Sequence, residues 1–300
     1  MTSFWRRNGA SVPLGVDLGA GSVSIVAAQA SPHGFTVTET RTQDVVPARS
    51  ANLDLAIAET VRAIVDGLKT RERRCVLGAP AGEVVTRTFR MPPRMGRLEA
   101  ERAAALEADA IVDWPPSERL VALDPLPGKP SEMLLSIART GTIDRLVAIA
   151  RAGGLRPVAV DTSACAWRRA VPDADAILDC ASDRAVLEIF GDPVGVTHVF
   201  PPRLIDDRLA SQMRSAFVEA RRDGVADVGR LAVLASRFRF ESLEELLRDE
   251  GCTVAGVTLG DVEAPTWSFA YGLATWSLAS FTSTSTSPSK SSSNYSVNAP

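Results

Sequence analysis

The stretch from Leu14 to Ala28, LGVDLGAGSVSIVAA, decides the fold. Val16 and Leu18 form one apolar run, and Val23, Ile25 and Val26 another. Gly19-Ala20-Gly21-Ser22 separates them, which predicts a β-hairpin turning on small residues. A third extended segment, Phe35 to Thr40, alternates at period two. Ala51 to Leu68 then sets Leu53, Leu55, Ile57, Val61, Ile64, Val65 and Leu68 on or near one helical face. Cys75 to Ala79 reads as a strand stopped by Pro80. Hairpin, strand, helix and strand in that order predict an α/β layered sheet. Asp17 closes the first strand opposite the small-residue turn, and two readings fit it. In one, backbone N–H groups and Ser22 approach phosphate oxygens while Asp17 holds a hydrated Mg²⁺ or orients water. In the other, the stretch is a plain hairpin with a surface carboxylate. The turn opens no helix, so neither a Walker loop nor a dinucleotide fingerprint applies.

Downstream, Glu83 to Phe89 reads as a strand running into Met91-Pro92-Pro93. Arg97 to Val112 reads as a helix stopped by Trp114-Pro115-Pro116. Leu120–Leu126 and Met133–Ala138 form a strand pair, and Thr142–Ala152 a helix closed by Gly153-Gly154, suited to a left-handed cap. Pro157–Val160 is a strand. Asp161 then reads as the N-cap of a helix over Thr162–Ala170, with a cleft carboxylate as its other reading. The block from Glu83 to Leu155 is expected to be a compact α+β insert between two pieces of one sheet. Beyond Pro172, strands are expected at Ala176–Cys180, Arg184–Phe190, Val194–Phe200, Gly229–Ser236 and Thr253–Leu259. Helices are expected at Leu204–Arg222, Ser242–Asp249 and Pro265–Ser280. From Ser280 to Ser293, eleven of fourteen residues are Ser or Thr, a composition that predicts a disordered tail.

With 300 residues, 45% of them apolar and 23% charged, the chain has the composition of a two-domain globular protein. A net charge of −3 removes the electrostatic footprint of a dedicated nucleic-acid binder. Thirty of its 33 basic residues are arginine, Lys69, Lys129 and Lys290 being the only lysines. The cluster Arg71, Arg73, Arg74, Arg87, Arg90, Arg94 and Arg97 reads as a solvated face. Cys75, Cys165, Cys180 and Cys252 lie far apart with no CxxC spacing. With His33 and His198 each alone, neither a disulfide framework nor a zinc site is expected. No run reaches the ~18–20 apolar residues that span a bilayer, and the Phe4-Trp5-Arg6-Arg7 leader lacks the apolar core of a signal peptide. A cytoplasmic protein is expected, one that can still sit on a membrane surface.

Taken together, these segments resemble the actin-like PilM family of type IV pilus assembly, related to FtsA and to the cytoplasmic part of type II secretion L proteins. The resemblance is carried by the Phe-basic leader before GVDLGAGSVSIV (15–26) and by VLGAPAGEVVTRTFRMPP (76–93). It continues through LEAERAAALEADAIVDWPPSE (98–118) and LLSIARTGTIDRLVAIARAGGLRPVAVDTSACAWRRA (134–170), nearly collinear over residues 4 to 171. It implies an actin-like, ribonuclease-H-type α/β fold in two domains, with a small α+β insert and a shortened second half. The implied boundaries are 1–79 plus 155–171 for the first domain, 80–154 for the insert, 172–281 for the second domain and 282–300 for the tail. In the family the cleft binds ATP. A groove beside the insert grips the cytoplasmic N-terminal tail of a bitopic inner-membrane protein.

Carried over residue by residue, the phosphate-loop role falls on Asp17, Gly19, Ala20, Gly21 and Ser22. Ser24 stands where the family often has Lys. The second loop keeps Asp179, but Cys180-Ala181-Ser182-Asp183-Arg184 lacks the family's Gly and Thr, and Asp183 adds repulsion toward phosphate. Ala235-Ser236-Arg237 stands where an adenosine-binding Gly pair belongs. The expectation is therefore an assembly adaptor whose ATP–Mg²⁺ site is weak or lost and whose ligand is a membrane protein's tail. That tail is expected between the first sheet and an insert presenting Val84, Val85, Phe89, Leu98 and Leu106. The alternative is a sugar-kinase-like phosphotransferase of the same superfamily, for which the late loops argue poorly.

Overall fold

The computed structural model describes residues 12–31, 34–46, 52–92, 95–126, 129–180, 185–191, 195–200, 207–222, 224–225, 227–234, 245, 247, 251–259, 262–263 and 267–276. Several readings lie wholly or largely outside them: the leader, the second phosphate loop at 181–184, the 235–237 stretch, most of the helix over 242–249 and the tail. The hairpin is β1 (Leu14–Leu18) and β2 (Ser22–Ser31), followed by β3 (Gly34–Asp44), α1 (Leu53–Gly67) and β4 (Arg74–Gly78). With β8 (Arg156–Asp161) these strands form a sheet in the order β3-β2-β1-β4-β8, antiparallel across β1–β2–β3 and parallel across β1–β4–β8. Leu14, Val16, Val23, Ile25, Cys75 and Leu77 bury against the apolar stripe of α1, Ile57, Val61, Ile64 and Val65. Asn52 caps α1 by accepting from the Asp54 and Leu55 amides.

The second half repeats this plan. Strands β9 (Ala176–Asp179), β10 (Ala185–Ile189), β11 (Val196–Phe200), β12 (Arg230–Leu234) and β13 (Thr253–Gly256) run in the order β11-β10-β9-β12-β13, with the same alternation of antiparallel and parallel pairs. Helix α5 (Asp207–Arg222) covers one face through Leu209, Met213, Ala216, Phe217 and Ala220. Strands β14 (Thr258–Leu259) and β15 (Val262–Glu263) form a short ribbon beyond β13.

Between β4 and β8 the chain builds a separate module: β5 (Val84–Arg90), α2 (Arg97–Ile111), β6 (Arg119–Leu126) and β7 (Lys129–Arg139), with β7 central. It has its own core, in which Phe89, Leu135 and Ile137 pack on Ala100, Ala104 and Ala108 of α2. The next helix, α3 (Thr140–Ala152), was expected within the insert. It packs instead on the first domain, where Leu146, Ile149 and Ala150 join the core beside α1. Gly154, at φ +88°, takes the left-handed position after α3, and the Leu155 amide donates back to Ala150 O at 3.0 Å.

Two helices lie between the sheets: α4 (Ser163–Ala170) and, from the C-terminal part of the chain, α6 (Ser268–Ala274). Helix α6 was assigned to the second domain from sequence order, yet it packs against β1, β2, β4 and α4. Gly15 makes this possible, because a Cβ there would stand 1.8 Å from Ala270 O and 2.4 Å from Ala274 N. Trp167 of α4 and Phe269 of α6 pack together, ring centroids 5.2 Å apart, with Ile177, Ala232, Leu234 and Val257 beneath them. The four cysteines are free.

Candidate functional site

The predicted phosphate-loop residues come together at the β1–β2 turn. Asp17 pairs with Ser24 across the hairpin. Gly19 is required by close approach: a Cβ there would meet Ser22 O at 2.7 Å, whereas the space above Gly21 is open. Ala20 and Gly21 are exposed, so the backbone of the turn is accessible. Gly21 O accepts from the Val45 amide at 2.9 Å, which ties the turn to the end of β3. Ser24, in the position where the family often has Lys, is buried and shares a 2.9 Å hydrogen bond with Thr42 Oγ1.

Asp179 ends β9, the central strand of the second sheet, as Asp17 nearly ends β1 of the first. Burial first, and then the charge of Asp179, push Asp17 up to about 7. The ends of β1 and β9 thus lie close enough for the Asp179 charge to act on Asp17. Such a pair suits a cation between lobes and repels a bare phosphate. Residues 181–184 and 235–237, which would supply the second phosphate loop and the adenosine contact, lie outside the described residues. Among the described residues no group of three or more His, Cys, Asp or Glu is arranged to hold a metal ion.

Asp161 is not the cap of α4. Its strand continues through it, paired with Gly78, and Thr162 caps instead by accepting from the Cys165 amide at 3.2 Å. The Asp161 carboxylate accepts from the Thr162 amide and forms an ion pair with Arg169. Glu188, on β10, escaped the sequence reading. The signal was present in AVLEI (185–189), an acid inside an otherwise apolar strand. The side chain is 1% exposed, and burial raises its carboxyl to about 7 against the lowering effect of two hydroxyl bonds.

The insert offers the second candidate surface. Helix α2 covers one face of its sheet, the one bearing Val85, Phe89, Val121, Leu123, Leu135 and Ile137. Strand alternation puts Val84, Thr86, Thr88, Leu120, Ala122, Asp124, Leu134, Ser136 and Ala138 on the opposite face, in the cross-strand rows Val84–Ala138–Leu120, Thr86–Ser136–Ala122 and Thr88–Leu134–Asp124. Among the described residues no helix of the module covers this second face. Burial chiefly raises Asp124 on this face, and the charge of Asp161 at the end of β8 adds to it. The floor of the face is small and half-open. Leu98 and Leu106, expected in the groove, are each 71% exposed on the outer side of α2, because the alanine stripe Ala100–Ala104–Ala108 is what meets the sheet.

A model of the family described as type IV pilus assembly protein PilM matches residues 15–192. The chain belongs to the PilM family. Among solved structures, a PilM–PilN type IV pilus biogenesis complex is similar to this chain at a TM-score of 0.67 and 18% identity, covering 87% of this chain and 97% of that one. The cytoplasmic domain of EpsL, an inner-membrane component of the type II secretion system of Vibrio cholerae, is similar at 0.49 and 12%, covering 79% and 93%. A Bacteroides thetaiotaomicron protein with an actin-like ATPase fold and unknown function is similar at 0.49 and 11%, covering 85% and 93%. No curated protein sequence matches the chain. The fold is the actin-like one expected of a PilM-family chain, and the family match spans the insert between β4 and β8. Among the described residues no helix is long and apolar enough to cross a membrane.

Proposed function

We propose that this PilM-family protein is a cytoplasmic adaptor at the inner membrane, which holds the extended N-terminal tail of a bitopic pilus or secretion protein. The tail lies in the groove between the helix-free face of the insert and the first domain. The observation that carries the reading is that face. A three-stranded sheet with a helix on one side leaves its other side to be covered, and here that side is floored by Ala122, Ser136, Thr86 and Ala138. Small residues let a peptide backbone approach closely, and Leu120 at 43% exposure gives a side chain something apolar to pack on. The membership in a pilus-assembly family agrees with it.

Nucleotide binding plays a smaller part in this reading. The turn at Gly19–Ser22 is open to phosphate, but Ser24 supplies no positive charge, and Asp17 and Asp179 need a cation between them before an anion can approach. Mg²⁺-ATP is accordingly held weakly or not at all, and calorimetry with Asp17→Ala as control measures it. For the tail, a photo-crosslinking residue placed at Ala122 in cells should capture the membrane partner, and the same residue at Leu106 should not. Capture from Leu106 alone would move the site to the outer face of α2.

A further inference from the structure

Helix α4 is the chain's first passage from one lobe to the other, and its first residue is fastened to the second sheet by one buried acid. Glu188 projects from β10 on the face that α4 and α6 cover, opposite Ile177 on β9 and Thr197 on β11. Ser163 Oγ donates to one of its carboxylate oxygens at 2.5 Å, and Thr197 Oγ1 to the other at 2.6 Å. We propose that Glu188 is a proton-controlled latch of the hinge: protonated, it keeps the first turn of α4 seated on the second lobe, and ionised, it lets that turn lift.

Desolvation of the carboxylate drives the latch. Two hydroxyls are neutral partners, and among the described residues no Arg, Lys or His pairs with Glu188. The charged groups nearby are committed elsewhere or have the wrong sign. From β9, Asp179 adds repulsion. On α4 itself, Arg169 is paired with Asp161 at the end of β8 and donates to Gly272 O of α6, while Arg168 donates to Gly191 O. Asp17 on β1 interacts with Asp179. The remaining titratable group on α4, Cys165, has its thiol pushed up chiefly by burial. Among the described residues an ionised carboxylate in this place is a buried charge without a counter-ion, relieved by admitting water. Protonated, the carboxyl keeps both contacts, because a hydroxyl that donated to one oxygen can accept from it instead.

The seated state holds its proton up to about pH 7, whereas a hydrated glutamate releases it near the ordinary 4.5. Lifting of the turn therefore grows with pH between those values, at most about tenfold per pH unit, and levels off above the upper one.

The test is hydrogen–deuterium exchange of the full-length protein from pH 5 to 8, with times scaled for the intrinsic rate and the peptide of α1 as reference. Amides of α4 should lose protection relative to α1 up to about pH 7 and then plateau. Glu188→Gln should flatten that profile, while Asp17→Asn should leave it. Ser163→Ala removes a bond that favours the anion, so it should move the plateau to higher pH. This variant also keeps the idea testable if Glu188→Gln does not fold. A pH-independent α4 in the wild type, a slope that survives Glu188→Gln, a slope flattened by Asp17→Asn, or an unmoved plateau in Ser163→Ala would overturn the proposal.

Discussion

Replacing Asp17 by Asn should make the protein more stable at pH 8 and less sensitive to pH. Asp17 is raised from 3.8 to about 7 by burial and, secondarily, by Asp179. A folded state that binds its proton more tightly than the unfolded chain loses stability as pH rises from the unfolded value to the folded one. The loss therefore falls between about pH 4 and 7 and is complete above that. Roughly three units at about 1.36 kcal/mol each set a ceiling of about 4 kcal/mol. Solvent screening at the partly exposed cleft reduces this, leaving roughly 1–3 kcal/mol to be recovered by the neutral isostere. Urea unfolding of wild type and Asp17→Asn at pH 5 and pH 8 reads it directly. Glu188 contributes its own slope to both proteins, so the quantity that matters is the difference between them. The variant should gain on the wild type as pH rises. Parallel losses, or a variant less stable at pH 8, would refute the reasoning.

Gly15→Ala should be the most damaging small substitution in the first sheet. The added methyl meets backbone of α6, which has no rotamer with which to yield, so a loss of about 1–3 kcal/mol or more and a lowered melting temperature are expected. Thr162→Ala should cost about 1 kcal/mol by uncapping α4, whereas Asp161→Ala, which leaves that cap intact, should act through Arg169; thermal melts of both variants separate the two roles.

How much of this was legible in the sequence depended on how local the cause was. The β1–β2 hairpin is written in the alternation around Gly19–Ser22, and β9 to β11 in three apolar runs broken at turns. The fate of α3 was not legible, because its periodicity says that it is amphipathic but not which core its leucine and isoleucine enter. Contact with α1, some eighty residues upstream, settles that. The same applies to α6, whose docking is determined by a glycine more than 250 residues earlier. Helix α2 is rich in alanine, and leucines are the natural guess for its buried side. The closer approach of the alanine stripe to the insert's sheet reverses the choice and moves the groove to the other face of that sheet. Thr162 displaced Asp161 as cap because β8 holds the backbone of Asp161 in the sheet. Glu188 is the converse case: one anomalous letter in a strand marks a position that only the packing of α4 explains.

The groove is the central claim, and a peptide titration tests it most directly. A synthetic N-terminal tail of a bitopic inner-membrane pilus or secretion protein from the same genome is titrated into wild type, Ala122→Arg and Leu106→Arg. Both substituted positions are exposed, so all three proteins should melt alike. The account predicts saturable binding to wild type and to Leu106→Arg, and at least tenfold weaker binding to Ala122→Arg. Undiminished binding to Ala122→Arg, or no binding to any of the three, would contradict it.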